Sequence, residues 1–303
     1  MEYETCHMKI LNFGSLNIDH VYHIEHFVQP GETIACSSYN RFSGGKGLNQ
    51  SIALARAGAD VYHGGKIGAD GLFLKEQLEK SGVDTRFVHQ GNTPTGHAVI
   101  QVSKEGENSI IIAGGANRCI TTDEIADTVC TFAKGDYLLV QNEISGVDHI
   151  ISKSSEMGLK IVFNPAPFTP AISNYPLELV DIFILNETEA AAITGLTHQQ
   201  DIIEQMRKQF PNAEVIFTMG AKGALFVKGD IEHIAPAKQV TAVDTTGAGD
   251  TFIGFFLASH MCSGNIPEAL AIATAAAAMS VTRHGAADSI PTLDEAKAFS
   301  NTH

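Results

Sequence analysis

The chain has 303 residues, long enough for about two domains of roughly 150 residues, although α/β folds of this size often form one. Its hydrophobic fraction of 44% against 18% charged residues supports a large core and excludes disorder as the main theme. A formal charge of −14 fits neither nucleic acid nor an anionic membrane surface as partner, so any phosphate must be held by local geometry rather than by a basic field.

In chain order, Lys9–Gly14 reads as a strand, and Asn49–Ala57, Gly71–Ser81 and Asp123–Phe132 read as helices. The strand Tyr137–Gln141 is followed by the helix Val147–Met157, and then come the strands Lys160–Asn164 and Asp181–Leu185. The helix Ile202–Phe210 and the strand Val215–Met219 complete the series. Such alternation predicts βαβ units and a mostly parallel sheet covered on both faces. Further on, Gly249–Cys262 and Pro267–Thr282 read as two consecutive helices, with a short one after Pro291. Two stretches, His20–Arg41 and Gly96–Ala113, have strand composition and turn signals but no helix between them. They predict a small accessory sheet formed by two insertions, about 18–43 and 96–114. With no Gly/Ser- or Pro-rich linker and no internal repeat, residues 1–303 are expected to form one α/β domain with a β lid. The Ala275–Ala278 run is explained by close helix packing.

The opening MEYETCHMK has neither a basic start nor an apolar run, so no signal peptide is expected. Ala269–Val281 is too short to span a bilayer. Five scattered cysteines without a CxxC pair suit a reducing compartment. A soluble cytoplasmic protein is the expectation. Cys119 and Cys130 have no partner constellation and read as packing residues. His20, His23 and His26 are spaced by three, which on an extended segment turns neighbours to opposite faces, so they read as lid or surface histidines rather than a metal site.

Two nucleotide motifs fail. In Gly44-Gly45-Lys46-Gly47 the last glycine stands where a P-loop needs Ser or Thr, and Gly247-Ala248-Gly249 has Phe252 at the third glycine position of a dinucleotide fingerprint. What stands is Asp244-Thr-Thr-Gly-Ala-Gly-Asp250-Thr-Phe252, a glycine-rich turn running into an apolar helix. Its unpaired N–H groups around Gly247–Asp250 form an anion site without a basic side chain. Asp250, in the first helical turn, reads either as an acid complementing the helix dipole or as a general base beside that site.

The segments GSLNID (Gly14–Asp19), SGGKGLNQ (Ser43–Gln50), NPAP (Asn164–Pro167), LNETEA (Leu185–Ala190), TMGAKG (Thr218–Gly223) and DTTGAGDTF occur in this order. Together they resemble the ribokinase/phosphofructokinase-B family of sugar kinases, from about Lys9 to Ala298. The resemblance implies a three-layer ribokinase-like fold and ATP-dependent phosphorylation of a sugar primary hydroxyl, with D-ribose as the leading substrate. It implies Asp250 as base, with the backbone of Gly247, Ala248 and Gly249 stabilising the transferring phosphoryl group. Asn17, Asp19, Gly45, Lys46, Asn49 and Glu143 match sugar contacts, with Asp250 beside them. Without it, Asn17–Asp19 reads as a turn, Gly45–Asn49 as a glycine-rich helix entry and Glu143 as a loop acid.

Asn186, Thr218, Gly220, Gly223, Gly249 and Thr274 fall to the nucleotide. Asn186 and Glu189 also read as a plain capping box; in the family the pair orders Mg²⁺ and phosphates through water. Gly220–Gly223 reads by itself as a turn between two strands. The resemblance further implies a K⁺ ion held by the Asp244 carboxylate, the Ser289 hydroxyl and the carbonyls of Thr246, Ser280, Arg283 and Gly285. The competing reading is that Asp244 caps its own turn and Gly285 ends a helix. A homodimer through the lid is implied, with Val28, Ile34, Val99 and Ile110 expected on one apolar face of it. His97 and Ile112 lie in the lid segments, where side chains could tune a pocket. A kinase for deoxyribose, fructose or a nucleoside, or a non-catalytic sugar-binding regulator, remain alternatives.

Overall fold

Apolar runs buried on both sides make the centre of the molecule. The computed structural model describes residues 8–302; the MEYETC opening with Cys6 lies outside them. In chain order the elements are β1 (Lys9–Phe13), β2 (Asn17–His23), β3 (Ser38–Gly44), α1 (Lys46–Arg56), β4 (Asp60–Ile67), α2 (Leu72–Lys80) and β5 (Asp84–Gln90). Next come β6 (Gly96–Val102), β7 (Asn108–Ala113), α3 (Thr122–Val129), β8 (Tyr137–Gln141), α4 (Val147–Glu156) and β9 (Lys160–Asn164). They are followed by β10 (Ile182–Asn186), α5 (Glu187–Thr194), α6 (Gln199–Gln209), β11 (Glu214–Thr218), β12 (Ala224–Lys228) and β13 (Ile231–Ala235). The chain closes with α7 (Ala248–Ser263), α8 (Ile266–Ser280) and α9 (Leu293–Thr302).

Among the described residues a nine-stranded sheet runs β13-β12-β11-β10-β9-β8-β1-β4-β5. It is parallel except at one edge, where β12 pairs antiparallel with both β11 and β13. Period-two alternation sends Ile10 and Leu139 into one helix layer and Leu11, Phe13, Leu138 and Val140 into the other. The first layer holds α1, α2, α7, α8 and α9, and the second α3, α4, α5 and α6. Phe13, Phe163, Phe183, Phe255 and Phe256 are fully buried, each contributing about 1.5–3 kcal/mol over exposure. The alanine run fits its expected purpose: Ala273, Ala275 and Ala276 are fully buried in α8, which packs along α7. A methyl group on Gly254 of α7 would stand 2.4 Å from the Ala53 Cβ of α1. The glycine therefore lets these two helices cross closely. One turn earlier on each helix, that crossing brings Asp250 against Asn49 and Gln50.

The two insertions form a second sheet in the order β3-β2-β6-β7, as expected. Its register places Asn17 and Asp19 on one face with Phe42, Ala98 and Ile112, while His20, Arg41 and His97 lie on the other. That second face is tied to α2, through Ser43 to Gln77 and through Arg41 stacked 4.5 Å over the Phe73 ring. Val28 and Ile34 lie in the β2–β3 loop, not on the sheet, because β2 ends at His23 and β3 begins at Ser38. Val99, paired with His20 and Ile111, lies on the opposite face from Ile110.

Cys119 and Cys130 are exposed, which corrects their reading as packing residues. Each follows a helical turn rather than lying on its apolar face. The lid histidines diverge: His20 stacks on Tyr39, and His26 pairs with Glu32 at 2.8 Å. No helix among the described residues is long and apolar enough to cross a membrane.

Candidate active site

The site gathers where β1, β8, β9 and β10 end, as open α/β sheets place their ligands. Gly247 stands at the N-cap of α7 with φ 74°, a left-handed conformation that favours glycine. No side chain caps this helix. The Ala248 N–H turns back to the Thr245 carbonyl at 3.3 Å. The N–H groups of Gly249 and Asp250 lie in the first turn, where no intrahelical acceptor exists. A helix start of this kind favours an anion.

Asp250 is 7% exposed. Asn49 Nδ2 donates to its Oδ2 at 3.0 Å and Gln50 Nε2 to its Oδ1 at 2.8 Å. A cleft of about 250 Å³ opens beside it, lined by Lys46, Asn164, Asn186, Glu189, Thr245, Gly247 and Gly249. Lys46, matched to a sugar contact, lines this central cleft together with Asp250. The neighbouring Asp250 carboxylate, followed by Glu143 and Glu189, holds its ammonium above the usual lysine pKa against the opposing effect of burial.

The polar residues assigned to a sugar lie next to it. Asn17 is buried, and its Oδ1 accepts from Asn117 Nδ2 at 2.8 Å. Asn17 and Asp19 belong to β2, the first lid strand, rather than to the end of β1. Burial, reinforced by the charge of Glu143, raises the Asp19 carboxyl from the ordinary aspartate value to about 7. Glu143 is no solvent-facing loop acid. Ser15 Oγ and the Lys46 N–H both donate to its Oε2, the latter at 3.0 Å. Gly45 is the N-cap of α1. Ile112 shares the lid face of Asp19, whereas His97 is on the opposite face, in contact with His20.

A larger cleft of about 470 Å³ lies on the other side of Gly249. It is lined by Asn186, Thr218, Gly220, Gly223 and Thr274, with Ala237, Val240, Phe252, Ala277 and Val281. Thr274 Oγ1 donates to the Leu270 carbonyl at 2.9 Å, so this mainly apolar wall gains no donor from it. Gly220 and Gly223 lie in the turn joining β11 to antiparallel β12, as the segment by itself predicts. The same holds for Asn186 and Glu189, which form a complete capping box on α5. Both Glu189 oxygens already accept from Asn186, at 3.0 and 3.1 Å. Burial raises the Glu189 carboxyl, while the Asn186 donors and Lys46 work against the rise. A carboxylate so engaged fits a Mg²⁺ ion held through water rather than by direct ligation.

Asp244 bonds both segments named for a cation. Its Oδ1 accepts from the Thr246 N–H and its Oδ2 from the Gly285 N–H, each at 2.9 Å. Burial pushes its carboxyl up, but these donors outweigh that and keep it below the ordinary aspartate value. Ser280 and Ser289 are buried, and each hydroxyl donates to a carbonyl three residues earlier, at 2.8 Å. Their oxygen lone pairs remain available. The Ser280 carbonyl accepts from the Arg283 N–H at 3.0 Å. One carboxylate among neutral oxygens suits a monovalent cation better than a divalent one, and no group of three or more His, Cys, Asp or Glu is placed to hold a metal ion among the described residues.

Sequence reasoning singled out neither Gln50 nor Asn164, although both stand inside quoted motifs. Ser15, inside GSLNID, was passed over in the same way, and Asn117 and the 237–242 wall carry no local signal.

The profile described as pfkB family carbohydrate kinase matches residues 8–293. A ribokinase of Haemophilus influenzae is 38% identical over 295 residues, covering 94% of this chain and 96% of the relative. A ribokinase of Staphylococcus aureus is 36% identical over 300 residues, covering 95% and 98%. The structure of Arabidopsis thaliana ribokinase complexed with ribose and ATP matches with a TM-score of 0.88 at 30% identity, over 98% of this chain and 99% of that one. With the profile and these relatives spanning nearly its whole length, the chain belongs to the pfkB family of carbohydrate kinases, which are sugar phosphotransferases.

Proposed function

We propose that the protein transfers the γ-phosphoryl group of ATP to the primary hydroxyl of D-ribose, giving D-ribose 5-phosphate. The observation carrying this reading is the placement of Asp250. Its carboxylate lies at an uncapped helix start and is held by Asn49 and Gln50 of α1. The entry to α1 carries Glu143, bonded by the Lys46 N–H, and the lid strand of Asn17 and Asp19, paired to Gly44. The large apolar-walled cleft shares Gly249 with the cleft of Asp250. Asp250 accepts the proton of the attacking hydroxyl, while the Gly249 and Asp250 N–H groups face the charge of the transferring group. Lys46 adds a positive charge at the same point. The adenine side of the nucleotide suits the wall of Val240, Phe252, Ala277 and Val281. A Mg²⁺ ion at Glu189 supplies charge neutralisation for the phosphates when bound. Closure of the lid over the sugar excludes water.

The test is an ATP-coupled assay over ribose, 2-deoxyribose, fructose and nucleosides, run across pH. Ribose is expected to give the highest kcat/KM. Faster turnover of another acceptor would replace it as substrate, and transfer to none would favour a non-catalytic sugar-binding regulator. Asp19 sets the expected pH effect. Below about 7 its carboxyl is protonated, and above about 7 it accepts from sugar hydroxyls as a carboxylate, so the ribose KM should fall as pH rises through that value. A KM flat from about pH 6 to 8 would take Asp19 out of the sugar site.

The lid supports a two-fold dimer. Phe42, Ile110 and Ile112, on the face of Asp19, are 47%, 51% and 58% exposed, and an apolar face of this kind favours pairing with a second copy. Light scattering at micromolar concentration should give twice the chain mass; a monomer would end the proposal. The exposed thiols of Cys36, Cys119 and Cys130 fit a reducing cytoplasm, which cell fractionation tests.

A further inference from the structure

A chain of buried amides runs from the Asp250 carboxylate back into the sheet. Gln50 Nε2 donates to Asp250 Oδ1 at 2.8 Å, and Gln50 Oε1 accepts from Gln141 Nε2 at 2.7 Å. Gln141 Nε2 donates a second time, to Asn12 Oδ1 at 2.8 Å. Asn12 Nδ2 then donates to the Gly47 carbonyl and to Ser51 Oγ, both at 2.8 Å. Asn12, Gln50 and Gln141 are all fully buried. Gln141 Oε1 takes no hydrogen bond from any described protein group. An unpaired buried carbonyl is costly, and packing alone gives no reason to retain one at the end of β8.

The bonding fixes a direction. A backbone carbonyl only accepts, so Asn12 must present its NH₂ group to Gly47 and its oxygen to Gln141. Gln141 must therefore donate, Gln50 must present its oxygen to Gln141, and the Gln50 NH₂ group is left facing Asp250 and the Asn164 Oδ1, to which it also donates at 3.2 Å. A reversed Gln50 would set an oxygen against the Asp250 carboxylate and favour its protonated form.

We infer that Gln141, which is absent from the linings of both clefts, is a positioning residue for phosphoryl transfer, acting through Gln50 to orient the Asp250 carboxylate. The inference rests on the reading of Asp250 as base. Through this chain, Gln141 holds the oxygen end of Gln50 while Asn164 accepts from its NH₂ end, and together with Asn49 on the other oxygen they set the hydroxyl-accepting lone pair of Asp250.

The experiment is steady-state kinetics across pH for Gln141→Met, Gln50→Met and the double variant, with Asp250→Asn alongside. The charged groups near Asp250 are Lys46 of α1, Glu189 of α5 and Glu143 after β8. None of these changes, so a shifted profile reports the amide. Gln141→Met is expected to lower kcat by about 10- to 100-fold, the effect of one lost bond to a charged group, with KM for sugar and ATP near wild type. The acid limb of its kcat profile should move up by about one pH unit. The double variant should be no slower than Gln50→Met alone, because both act on one bond. Unchanged kcat in a folded Gln141→Met protein, an unmoved acid limb, or additive losses would overturn the inference. If the methionine variant does not fold, Gln141→Leu carries the same expectations, since it likewise has no donor for Gln50 and adds no charge. An inactive Asp250→Asn beside a normal Gln141→Met removes the inference alone, whereas an active Asp250→Asn removes the base reading itself.

Discussion

Asp250→Asn is expected to fold and bind ATP as the wild type does while its kcat falls by about 10²–10⁴, the usual loss for a general base. The substitution keeps the size of the side chain and leaves the Gly249 N–H in place, so the anion site of α7 survives. What it removes is the group that accepts a proton. It also opposes an amide to the two donors that converge there, Asn49 Nδ2 at 3.0 Å and Gln50 Nε2 at 2.8 Å. Thermal unfolding and nucleotide titration separate this outcome from misfolding. Near-normal turnover by a folded variant would remove the base assignment and leave Asp250 as a helix-start acid complementing the dipole.

Potassium is expected to activate the enzyme strongly over sodium at equal ionic strength, and Asp244→Ala to lose the response. Asp244 joins two segments that are far apart in sequence, accepting from Thr246 beside the anion turn and from Gly285 beyond α8. Val243 and Asp244 add N–H bonds to the Val281 carbonyl at 2.7 and 3.1 Å. The two segments therefore move together. A cation beside Asp244 supplies neutralisation of its charge when bound. Thr246 and Gly285, oriented toward such an ion, would steady the turn from which the Gly249 N–H projects. A cage of carbonyl and hydroxyl oxygens replaces a weakly held hydration shell more readily than a tight one, which favours K⁺ over Na⁺. Equal rates in the two salts would leave Asp244 as a turn residue bonding its own backbone, which its contact with Thr246 already accomplishes.

The central strands were legible because they are buried on both faces. Tyr137–Gln141 and Lys160–Asn164 are short apolar runs that match β8 and β9 residue for residue, and their surroundings demand such runs. The strand β4 escaped notice because Gly64 and Gly65 interrupt it, and β13 because most of it is exposed. Local motifs likewise disclosed the glycine turn before α7, the box at Asn186 and the lid insertions, since backbone conformation and capping depend on near neighbours. The partners of the site do not. Gln50 is 200 residues from Asp250, Leu16 is 101 from Asn117, and Gln141 is 129 from Asn12. An amide acquires direction only from the groups it bonds, and helix crossing and sheet order choose those groups. The same packing set His97 on the far lid face and Lys46 in the central cleft. The sequence by itself thus determined the layers, the lid and the anion turn, because these follow from periodicity and local backbone preference. Only the tertiary structure decided which buried side chains meet at Asp250, because hydrogen bonds between distant segments have no signature in the order of residues.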